Sequence, residues 1–228
     1  MRTVHFRLVV VAAALLAFAG TVAAQDKPNS LLNTLEVRQL VARAEPADNA
    51  GLSAHFSALA DRYTAEARRH LSMSQSFVGN PSRNLGTGMS VHCKRLAELN
   101  TESATTVREL ATYHEKLAVG APATPPRDGA RFQGGAGASE PTEKELTALA
   151  AKAGTPAEHH ALEEYFLTLA KRYTTAADEH VTLAATFRGT KIAQASAIHD
   201  HLARLARDSA KEATAAAEMH KQLANVAR

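Results

Sequence analysis

The amino-acid sequence predicts an all-α protein: a tandem repeat of a short helix plus a long helical hairpin, forming an antiparallel four-helix bundle. Periodicity is the first reason. Phe56, Leu59, Tyr63, Glu66, His70, Met73 and Phe77 follow one another at steps of three and four, and Phe166, Leu169, Tyr173, Ala176, His180, Leu183 and Phe187 repeat the spacing. Such steps keep one narrow stripe of a helix turned toward a partner. Duplication is the second. Residues 46–77 and 156–187, offset by 110, share twelve identities in 32 positions, among them Phe56/Phe166, Arg62/Arg172, Tyr63/Tyr173 and His70/His180. An offset of 106 then pairs Leu96/Leu202, Leu99/Leu205, Ser103/Ser209, His114/His220 and Leu117/Leu223, with Cys93 matched to His199. Third, alanine, the best helix former, is abundant, and no run of alternating β-branched residues between turn pairs signals a strand.

Residues 1–24 read as an export signal. Arg2 and Arg7 make a basic start, Leu8 to Gly20 is apolar or small, and Val22-Ala23-Ala24 offers a small-residue cleavage site after Ala24. The run is too short to span a bilayer comfortably, and no cysteine follows it to carry a lipid. The expected location is periplasmic or extracellular. Without Arg2 and Arg7 the basic and acidic residues number 24 and 23, down from 26 and 23. They are interleaved rather than clustered, which argues against a nucleic-acid partner.

The elements follow in order. Thr34 is placed to cap a short helix through Leu35, Val37, Leu40 and Val41, which ends near Glu45-Pro46 because proline disfavours helix in the residue before it. Pro46 suits a first helical turn and opens a long helix to about Phe77. A Gly/Asn-Pro loop over 78–87 leads to a second long helix from about Gly88 to Ala118. These make helical repeat 1, residues 34–118. Residues 119–141, rich in proline and glycine, form a linker with no face to bury. In repeat 2, residues 142–226, Thr142 and Glu145 form a capping box for a short helix that stops at Gly154, and Thr155-Pro156-Ala157-Glu158 opens the next long helix.

Chemistry is sparse. No nucleophile–base pair or catalytic motif occurs, which argues against an enzyme, and without Cys-x-x-Cys-His there is no covalent haem site. The candidate site rests on histidine. With both hairpin loops at one end of an up-down-up-down bundle, His70, Cys93, His180 and His199 would share a level, with His92 adjacent. Imidazoles and a thiolate suit zinc or copper, and a helix N-terminus near Cys93 would favour its thiolate. His114 and His220 would share the far end with His55, His159 and His160 as structural residues, and His201 would be solvated. Set against this is a structural or protein-interaction module with no metal, its histidines serving as core. Its expected partner is a second copy or an envelope protein.

Overall fold

Six helices and no strand are found among residues 31–80, 86–119 and 141–226, which a computed structural model of the chain describes. The segment read as an export signal and nearly all of the expected linker lie outside the described residues. The first helix, α1, runs from Thr34 to Arg43, and α2 from Pro46 to Gly79. The third, α3, spans Gly86–Leu117, α4 Glu143–Lys152, α5 Pro156–Phe187 and α6 Ala193–Val226. No described helix is long and apolar enough to cross a membrane.

Local chemistry accounts for most boundaries. The capping boxes Thr142/Glu145 and Thr155/Glu158 both form, each threonine hydroxyl accepting from the third backbone N–H and each glutamate accepting from the cap's own N–H. In α1 the box belongs to Asn33 and Glu36, so Thr34 is the first helical residue rather than the cap. Asparagine caps at least as well as threonine, which explains the one-residue shift. Ala44 ends α1 in the left-handed region at φ 54°, where its Cβ is strained.

The seam is buried as its spacing requires. Of the fourteen seam positions, only Leu59 and Ala176 stay partly exposed. α2 packs along α3 and α5 along α6, giving two hairpins that join where α3 meets α6. Gly88 permits a close approach of α3 to α6, since a Cβ there would lie 2.5 Å from Met219 Cε. No Cα of α2 comes within 8 Å of one in α5. Between them sit the short helices: α1 divides its contacts between α2 and α5, whereas α4 lies chiefly on α2.

Two core clusters set the relative direction of the hairpins. One gathers Val37, Leu52, Phe56 and Leu110 with Leu183, Phe187 and Leu202. The other gathers Met73, Phe77 and Met89 with Leu146, Phe166 and Ala217. The start of α2 therefore lies beside the end of α5, and the two hairpin loops are at opposite ends. This corrects the expected up-down-up-down order with both loops together. The physical reason is the short helices, whose docking no periodicity specifies. They dock from opposite ends, α1 against both α2 and α5 and α4 chiefly against α2, while α3 and α6 make the close contact.

Candidate ligand cleft and the buried histidines

Reversal of one hairpin separates the expected ligands. Tyr63 Oη lies 3.4 Å from His180 Nε2, and His180 Nδ1 lies 3.2 Å from His199 Nδ1. Those residues belong with the Phe56 core. His70 stacks on Phe166 at 6.4 Å, and Cys93 is buried in that second core. His92 reaches across to Glu212 of α6. Among the described residues no three His, Cys, Asp or Glu side chains are grouped to hold a metal ion. The four seam groups are thus not gathered into one centre. The Cys93 thiolate is not favoured either: burial pushes the thiol up, with Glu212 adding to the effect. Cys93 is past the first turn of α3, where the dipole's influence ends.

What the histidines do instead is stack with phenylalanine, in two equivalent sets. Phe56 stacks on His114 at 5.5 Å and Phe187 on His199 at 5.2 Å. In the other core Phe166 stacks on His220 at 5.7 Å, and Phe77 lies 5.6 Å from the same imidazole. His114 Nδ1 meets Asn49 Oδ1 at 2.9 Å, and His220, 106 residues further on, meets His159 at 3.2 Å. So His114 and His220 sit in different cores, not together at one end. The pairing of position 114 with 220 in the sequence pointed to their equivalence; only packing shows that each stacks on its own hairpin's phenylalanine and also meets one from the other hairpin, Phe187 for His114 and Phe77 for His220.

Burial keeps these imidazoles neutral. It lowers His55, His114 and His180 to about 4, with His55 adding to the effect on His180, and His70 and His220 to about 3, with Arg69 and Arg172 adding to the effect on His70 and His159 and His92 to that on His220. In the His180–His199 pair one Nδ1–H must donate to the other Nδ1. If His199 donates, His180 carries its proton on Nε2 and donates to Tyr63; in the other tautomer Tyr63 donates to His180. Either arrangement holds three groups from α2, α5 and α6 in one uncharged network, with Tyr63 pushed up to about 12 by burial.

A cleft of about 450 Å³ opens on this network. Its walls are α2 from His55 to Glu66, α5 from Thr168 to Leu183, and the segment from Leu31 into α1 as far as Val37. Leu32, Val37, Phe56, Leu59 and Leu183 make it largely apolar, with His55 fixed by the Leu32 N–H at 3.0 Å. Both partly exposed seam residues, Leu59 and Ala176, lie in its wall. At the mid-height of the helices, buried Glu66 accepts from Arg172 at 2.9 Å and from Arg69 at 3.2 Å, bridging the gap between α2 and α5. On the α4 side the equivalent space is filled. Leu146 and Ala150 are buried there, and the Asn80 amide donates to Ala150 O and Ala153 O at 3.1 and 3.0 Å.

The volume lies within the roughly 300–1,000 Å³ of small-molecule sites, which are mostly apolar with a few fixed polar groups. Tyr63, His180, Glu66 and Arg172 are such groups. His201, at the surface, pairs with Glu102 at 3.2 Å and takes no part. No protein-family model matches this chain, and neither curated proteins nor solved structures give a significant match.

Proposed function

We propose that this is an exported, non-catalytic binding module, and that it holds a small amphiphilic molecule in the cleft between α2 and α5. The scaffold for it is a duplicated unit, two helical repeats closed as one antiparallel four-helix bundle. The basic start, apolar run and small-residue site of residues 1–24 support export. One observation carries the binding reading. A periodic seam buried at every other position is left open at Leu59 and Ala176, both in the cleft wall. Among the described residues, a fold that seals its α4 side and leaves its α1 side open, over a fixed polar network, has the form of a site.

Binding is checked with the neutral probe N-phenyl-1-naphthylamine, whose fluorescence rises in apolar surroundings. Enhancement is expected with the wild type and is expected to disappear in Ala176→Phe, which fills the cleft from a position that is not fully buried. Equal enhancement by both proteins would place the probe elsewhere and remove the support.

A second reading, zinc or copper binding, has one observation in its favour. The Nδ1 atoms of His180 and His199 are 3.2 Å apart, near the ~3.3 Å expected of two ligands at ~2.0 Å from one tetrahedral ion. The pair supplies two ligands and no third among the described residues, so the cleft is the better supported site. Under the metal reading, zinc or cuprous ion raises the melting temperature of untagged protein, and His199→Ala abolishes the rise. No rise with either ion leaves the pair as a core hydrogen bond.

A further inference from the structure

The two halves of the chain differ in charge at one informative place. Arg62 and Arg172 are equivalent in the repeat, and so are Glu66 and Ala176. Arg172 crosses from α5 to meet Glu66 of α2 at 2.9 Å. By the same symmetry Arg62 of α2 faces the position on α5 that a carboxylate would hold, and alanine stands there. Arg62 makes no ion pair or hydrogen bond among the described residues. Glu179 lines the same wall without closing an ion pair to it; burial pushes its carboxyl up from the usual range, with the Arg62 charge opposing the shift. Lys171 adds a third cation to the lining, against the two carboxylates Glu66 and Glu179.

Resting on the cleft reading above, we infer that the ligand is a small amphiphilic carboxylate. Its head group binds Arg62 beside Ala176, in the place that Glu66 holds against Arg172. Its apolar part lies over Leu59 toward Val37 and Leu183. Two features converge on this occupant. The missing side chain at Ala176 provides both space and a guanidinium with no ion pair among the described residues, and the α2 wall from Arg62 back to His55 offers about 10 Å of length for an acyl chain. A guanidinium matches a carboxylate with two parallel hydrogen bonds, whereas an alcohol or an amine cannot use that fork.

The test compares decanoate, decanol and decylamine, each below its aggregation threshold, by titration calorimetry and melting temperature on the full mature chain. Decanoate is expected to bind and raise the melting temperature, with decanol weaker by about tenfold or more and decylamine weaker still. Arg62→Gln, at an exposed position that leaves the fold intact, is expected to reduce decanoate affinity by about tenfold and leave decanol unchanged. Ala176→Glu supplies the missing carboxylate from within. It is expected to abolish decanoate binding while raising the melting temperature of the ligand-free protein. If all three compounds bind alike and Arg62→Gln changes nothing, the carboxylate assignment falls and the cleft reading stands. If none binds while the neutral probe is also excluded, both fall.

Discussion

Lowering the pH from about 7 to about 5 is expected to unfold much of the protein, with the loss beginning near pH 6.5. Seven histidines are buried. In the native state His55, His114 and His180 titrate at about 4, and His70 and His220 at about 3. In the unfolded chain the same groups titrate near 6.5. Between those values the unfolded state holds more protons, so stability rises with pH. It is fully present above about pH 6.5 and is lost as the pH falls toward the native values. At about pH 5 each of these histidines costs on the order of 2 kcal/mol, and five together rival the roughly 5–15 kcal/mol that holds a typical domain. Helical circular dichroism is therefore expected to fall with a midpoint between about pH 4.5 and 6, where most carboxylates are still ionised. His70→Leu isolates the cause, because both ring nitrogens of His70 are buried without a hydrogen-bond partner among the described residues. The slope of stability against pH should drop by about 1.4 kcal/mol per pH unit in that variant. A melting temperature that stays flat down to about pH 4.5 would contradict the account.

Truncating Phe166 is expected to be the most damaging single core change. The ring is fully buried, stacks on His70 and His220, and meets Tyr165 edge-on at 5.1 Å. Phe→Ala at such a site costs about 3–5 kcal/mol through lost transfer energy and the cavity left behind. For a domain of this size that corresponds to a fall of roughly 10 °C in melting temperature. Leu167→Ala is the control, since Leu167 is 50% exposed on the same turn of α5. It should shift the melting curve by only a degree or two, as an exposed substitution with little packing to lose. Similar shifts for both variants would mean that the Phe–His stacks do not hold the core.

Much of this fold could be read residue by residue because its signals are local. The boxes at Thr142 and Thr155, Pro46 and Pro156 in first turns, and the three-and-four spacing each act within a few residues. Burial of Phe56, Tyr63, His70 and Phe77, and of their counterparts in α5, follows from that spacing alone. Even the cap of α1, read one residue late, is a choice between neighbouring residues of similar chemistry. The candidate site was less legible. Periodicity states that His70 and His180 face inward without stating which residues they meet. That depends on whether the second hairpin lies head-to-head or head-to-tail on the first, and both arrangements bury the same stripes.

Local spacing and residue chemistry account for the helices, the buried stripes and the difference between Glu66 and Ala176. The opposite directions of the two hairpins come from packing between distant segments. That direction divides His70 and Cys93 from His180 and His199, brings Arg172 to Glu66, and leaves Arg62 beside an alanine at an open cleft. The physical reason is that a helix seam is apolar and repetitive, so many partners satisfy it at similar cost. The choice among them falls to long-range contacts, namely the docking of α1 and α4 and the close approach of α3 to α6 at Gly88, which no local spacing records.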